Sequence, residues 1–117
     1  MDKRSLRFDS SQESAVHYLG RISGYGLLQY NGKYIARASY DFDGFTRKPT
    51  GVTCCGEIQL SAAILKDVFG RKGVKLLTDD GRLLDLVFSE KALLSTSDVA
   101  HVDVTGELPA TPQSWRN

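Results

Sequence analysis

The chain has 117 residues, 41% of them hydrophobic and 25% charged, with 15 Lys/Arg against 14 Asp/Glu and a net charge of +1. This length suits one domain that can bury a core without disulfides or metal, and this composition excludes wholesale disorder. No apolar run approaches the ~18 residues of a membrane span, no secretory segment is recognisable in residues 1–14, and two adjacent cysteines make no disulfide framework, so a cytoplasmic protein without membrane contact is expected.

Residues 1–14 are polar, mixed in charge and without period, and are expected to form a flexible N-terminal arm. The single β-rich domain is expected over 15–108 and a proline-containing tail over 109–117. Residues 15–22 read as a first strand with Val16, Tyr18 and Ile22 on one face. Gly20, Gly24 and Gly26 predict a turn or bulge after it. They do not spell a dinucleotide loop, and no helix follows. Residues 26–30 predict a short strand, and Asn31-Gly32 is the strongest hairpin signal in the chain.

Residues 33–43 alternate with period two. Tyr34, Ala36, Ala38, Tyr40 and Phe42 share one face, and Ile35, Arg37, Ser39, Asp41 and Asp43 the other. Small residues flanked by aromatics suit the interior of a small barrel, so the tyrosines Tyr34 and Tyr40 are expected in the core. A loop is expected over 44–50. The strand over 51–60 directs Val52, Cys54, Ile58 and Leu60 inward.

Residues 61–69 predict the one helix. Ser61 suits an N-cap, and Gly70 suits a left-handed residue after the last turn. Ile64, Leu65, Val68 and Phe69 form one apolar stripe. So short a helix is not stable in water alone and has to lie against a sheet. Strands over 74–78 and 83–88 follow, with Asp80-Gly81 read as a two-residue turn. Leu84, Leu86 and Phe88 share one face, and Leu83, Asp85 and Val87 share the other. Residues 89–98 are a polar connector in which Leu93 and Leu94 are expected to form a helical turn that plugs the sheet. Residues 99–105 predict a last strand with Ala100, Val102 and Val104 on one face, His101 and Asp103 on the other.

About seven short strands joined by hairpin turns predict an antiparallel, mainly β (α+β) domain. The expected architecture is a small, partly open β-barrel or bent sheet with one short helix. An OB-like barrel also places a helix between strands, which is a likeness of layout.

The candidate chemistry is sparse. Cys54 and Cys55 point to opposite faces of a strand, and their adjacency does not suit a tetrahedral zinc site with His17 and His101. Cys55 with a histidine lacks a third, orienting residue. Asp41 and Asp43 lack the remaining ligands of a calcium loop. No catalytic residue, metal or cofactor is therefore expected. The tail holds Pro109 and Pro112 at proline-x-x-proline spacing, but Arg116 lies too far along for an SH3 ligand. Trp115, the single tryptophan, either packs back on the barrel or anchors a partner.

Residues 1–76 hold 12 basic and 7 acidic residues, a net of +5, and residues 77–117 a net of −4 from 3 basic and 7 acidic, a hint of a bipolar surface. Phe45, Arg47 and Lys48, in the loop expected to join the two longest strands, are the candidate ligand-binding residues, with Arg71, Lys72 and Lys75 as basic neighbours. The leading reading is a non-enzymatic domain that binds a protein partner or itself. The second is an OB-like binder of RNA or single-stranded DNA, and the third a small thiol enzyme using Cys55.

Overall fold

The computed structural model describes residues 16–47, 51–109 and 115. Among these residues six strands and one helix follow in order: β1 (Val16–Tyr30), β2 (Lys33–Arg47), β3 (Gly51–Gln59), α1 (Ala62–Val68), β4 (Val74–Thr78), β5 (Leu83–Phe88) and β6 (Val99–Gly106). They close into a barrel in the order β1-β2-β3-β6-β5-β4, with every neighbouring pair antiparallel. Closure leaves no edge strand in the wall and lets one face of every strand line a shared core. The fold is the expected small antiparallel barrel with one short helix, and closed rather than partly open.

The long hairpin β1–β2 accounts for most departures from expectation. The glycines over 20–26 do not end a strand. β1 runs through them as one element of 15 residues, which is why six strands stand among the described residues where about seven were expected. Chain pairing with β2 outweighs the local signal, because each residue that stays in the ladder keeps its backbone groups satisfied. A bulge between Tyr18 and Gly20 shifts the register. The extra residue reverses the alternation, so Tyr18 points outward while Ile22 packs on the core. At the tip, Asn31 and Gly32 both adopt positive φ (53° and 75°), as the two-residue turn requires.

On β2, Ala38, Tyr40 and Phe42 are buried as expected, but Tyr34 is 62% exposed. A second register shift, between Leu28 and Gln29, sets Tyr34 opposite Gln29 and ends the inward series before it. β2 also continues through Arg47, pairing with Val16–Tyr18 on one side and with Gly51 to Thr53 on the other. Residues 44–47 are therefore strand and not loop.

The core is built from Leu28, Phe42, Ile58, Val74, Leu76, Leu84, Leu86, Val102 and Val104, each at most 2% exposed. α1 covers the end of the barrel beyond Gln59. Leu65 and Val68 are buried there, with Ile64 and Phe69 packed against the core and Phe69 meeting Phe88 at 5.1 Å between ring centroids. Ser61 stands at the N-cap without a side-chain bond, and Gly70 takes φ 80° after the last turn. Between β4 and β5 the loop closed by the Thr78–Arg82 pair holds three residues, 79–81, and not two. Gly81 donates to Thr78 O at 2.9 Å, Thr78 N donates to Arg82 O at 2.8 Å, and only Gly81 is left-handed. The expected helical turn at 93–94 is absent. Leu93 packs on the core, while Leu94 is exposed beside a turn closed by Ser97 N donating to Leu94 O at 3.0 Å.

Trp115 packs back on the barrel and is only 5% exposed. Its six-membered ring lies on Gly44, and Nε1 donates to Pro109 O at 3.2 Å. Gly44 pairs with Cys54, so the indole covers the end of the core away from α1.

Candidate functional site

Strand register sorts the outward side chains into two walls of different chemistry. On the β2–β3–β6 wall, Asp43, Cys55 and Asp103 lie in one row and Asp41, Glu57 and His101 in the next. Arg21 neutralises Asp41 through a two-pronged contact at 2.9 Å, and Tyr18 OH donates to Asp43 at 2.8 Å. That bond raises the Tyr18 phenol, since it favours the protonated form. His101 Nδ1 meets Ser89 Oγ at 2.8 Å, its backbone N–H donates to Glu90 at 2.8 Å, and Ser89 Oγ also donates to His101 O. These bonds clamp the 89–98 connector onto β6. A depression of about 270 Å³ opens between Tyr40, Asp41, Glu57, Gln59 and Val99, and its two carboxylates repel anions.

The thiols are separated as expected. Cys54 faces the core, and burial pushes its thiol up to about 12. Cys55 faces out, and its thiol is raised first by burial and then by Asp103 and Asp43. Neither has the positive surroundings that yield a reactive thiolate. Among the described residues no cluster of three or more His, Cys, Asp or Glu is placed to hold a metal ion, and no helix is long and apolar enough to cross a membrane.

The second wall is β2–β1–β4–β5. Register sets Leu27, Leu77 and Leu83 side by side across β1, β4 and β5, with Arg37 at the β2 end of the row. All three leucines alternate with the buried Leu28, Leu76 and Leu84 and are partly exposed. The row above reads Tyr34, Gln29, Lys75, Asp85. Below it stand Ser39, Tyr25 and Asp79, with Asp79 N donating to Tyr25 O at 2.9 Å.

The rim of this wall is ion-paired. Lys75 Nζ meets Asp85 at 2.7 Å, and Arg37 reaches Asp79 at 2.6 Å with its guanidinium 5.3 Å from the Tyr25 ring centroid. Arg82 lies 3.4 Å from Asp80, whose carboxyl is held low first by its hydrogen bond from Thr78 and then by Arg82. At the hairpin tip the Arg71 guanidinium covers Tyr30 at 5.3 Å, while Arg71 Nε donates to the helix-end carbonyl of Asp67 at 2.7 Å.

The residues singled out from sequence lie elsewhere. Phe45 is half-buried on β2 with its ring 5.4 Å from that of Tyr18. The backbone of Arg47 pairs with Val16 and Gly51, and Lys48 lies outside the described residues, as does the arm over 1–14. Arg71 and Lys75 do not extend a Phe45–Arg47 surface. They flank the opposite end of β1, near Tyr30 and Gln29. Sequence reasoning set Leu83 on one face of its strand with Asp85 and Val87. It missed that Leu27 and Leu77 stand beside it, because alternation along a strand carries no information about the neighbouring strand's register. Comparison with protein-family models, curated proteins and solved structures yields no match to this chain.

Proposed function

We propose that this barrel is a non-enzymatic protein-interaction module that docks a protein surface on its β2–β1–β4–β5 wall. The observation that carries the reading is the row Leu27–Leu77–Leu83. Three leucines in direct register cross three strands, with Val87 exposed farther along β5 and polar, aromatic or ion-paired residues at the outward positions of the rows on either side. An apolar centre with Tyr and Arg beside it and a polar rim is the composition of a docking surface. The β2–β3–β6 wall is an internal control. It belongs to the same barrel, yet Asp41, Asp43, Glu57 and Asp103 stand at outward positions there.

The nucleic-acid reading has less support. Arg21, Arg37, Arg71, Lys75 and Arg82 each have a carboxylate within 4 Å, so a phosphate would compete with a partner already in place. The closed six-stranded wall also differs from the five-stranded OB layout. The raised thiols weigh against a thiol enzyme in the same way.

A photo-crosslinking side chain placed at Leu77 and, separately, at Glu57 tests the proposal in the producing cells. Covalent protein adducts are expected from position 77 and not from 57, and an adduct to another copy of the chain counts equally. No adduct at 77, or equal yields at both positions, overturns it.

A further inference from the structure

We infer that the occupant of this wall is a second copy of the same chain, docked face to face about a two-fold axis that runs along the leucine row. The inference rests on the docking role proposed for the wall and adds the identity of the partner. It comes from charge placement. In the register of β1, β4 and β5, Lys75 stands one row above Leu77 on the same strand, and Asp79 one row below. A two-fold axis along the row exchanges above and below while leaving each column in place. Leu27, Leu77 and Leu83 of one copy then face the same leucines of the other. Lys75 faces Asp79 of the second copy, and Asp79 faces its Lys75. In the β1 column Gln29 meets Tyr25, which gives the exposed phenol a hydrogen-bonding partner.

The wall is therefore self-complementary in charge, which is what an isologous interface requires. Each rim cation already sits beside a carboxylate of its own chain, Lys75 beside Asp85 and Arg37 beside Asp79. Docking joins Arg37–Asp79 of one copy to Lys75–Asp85 of the other in an alternating network; the axis also sets Arg37 against Arg37 of the second copy, and each guanidinium is drawn off the row toward Asp79 and Tyr25 of its own chain. The axis lies across the strands, so the strands of the two copies run in opposite directions, and the two convex walls come within roughly 10 Å at β4, the centre of the row.

On a closed six-stranded barrel only the three leucine strands can face one partner together, and strand spacings of ~4.8 Å with same-face spacings of ~6.7 Å give three rows there a plan area of roughly 300 Å² per copy. The total of about 600 Å² is that of a weak, transient contact and not of an obligate dimer. The association is accordingly expected to be reversible on dilution.

Sedimentation equilibrium of the full chain in reducing buffer, from ~5 µM to ~1 mM, tests the inference. The wild type is expected to shift from monomer to dimer over that range. Leu77→Glu is expected to weaken association at least tenfold. Leu27→Arg repeats the test if the first variant fails to fold, and melting curves at dilute concentration identify that failure. Lys75→Glu and Asp79→Lys are each expected to weaken the dimer, and the double exchange to bind at least threefold more tightly than the weaker single variant. A wild type that stays monomeric to ~1 mM overturns the inference, as does association that Leu77→Glu and Leu27→Arg leave unchanged. A double exchange no tighter than the weaker single variant overturns the two-fold register. A monomeric wild type that still forms adducts with other proteins from position 77 removes the second copy while leaving the docking role in place.

Discussion

Substituting Gly44 by alanine should undo the packing of Trp115 without touching Trp115 itself. A Cβ at Gly44 would overlap the six-membered ring of the indole. Gly44 is not among the glycines at positive φ, so its backbone accepts alanine and the collision is the main cost. The barrel wall is held by ladders to β1 and β3, whereas the indole is held by packing and one hydrogen bond to Pro109 O, so the indole is the part that yields. Burial of a tryptophan side chain covers about 150–250 Å², or roughly 4–6 kcal/mol at ~25 cal/mol/Å². The released residues recover conformational freedom worth about 1–2 kcal/mol each, which leaves a net loss of about 2–3 kcal/mol. At a urea dependence of ~1.5 kcal/mol/M this lowers the midpoint by ~1.5–2 M. Trp115 is the single tryptophan, so its emission should shift in the native state to that of a solvated indole. Trp115→Ala should lose a similar amount, and the double variant no more than either single one, because both remove the same contact. Unchanged emission and midpoint in Gly44→Ala would refute the reasoning, as would losses that add in the double variant.

Leu65→Ala should cost about 2–5 kcal/mol and Phe69→Ala less, about 1.5–3, since Leu65 is fully buried and Phe69 only partly; urea unfolding of both variants orders them. Brief alkylation with mass mapping should label Cys55 before Cys54, slowly at neutral pH and faster as pH rises, because both thiols are raised. Cys54 holds its proton to about 12 in the folded state against 9.0 otherwise, so the unfolded chain binds fewer protons between those values and stability falls as pH rises from 9 to 12; Cys54→Ala should flatten that fall in alkaline unfolding curves. Thr78→Val should cost about 1–2 kcal/mol by thermal unfolding, since Arg82 N loses its 2.9 Å acceptor, and nuclear magnetic resonance titration should find the Asp80 carboxyl moved up toward its ordinary range.

Much of the fold is legible in the sequence because its signals are local. The 53-to-58 alternation that sends Cys54 and Ile58 inward, the Asn31-Gly32 turn, the Ile64/Leu65/Val68/Phe69 stripe and the limits of β4 and β5 each depend on residues a few positions apart. The tertiary structure decided what depends on pairing between distant segments. Glycines that read as punctuation over 20–26 became the interior of β1, because the ladder to β2 satisfies the backbone through them. The two bulges turned Tyr18 and Tyr34 outward, since one extra residue reverses every side chain beyond it. The docking of Trp115 on Gly44 joins positions 71 apart, and no local pattern encodes it. The leucine row is the same case in a sheet. Leu27, Leu77 and Leu83 alternate with core residues in three separate segments, and each alone reads as an ordinary outward leucine. Only the register that closes β1 onto β4 and β4 onto β5 turns them into one surface.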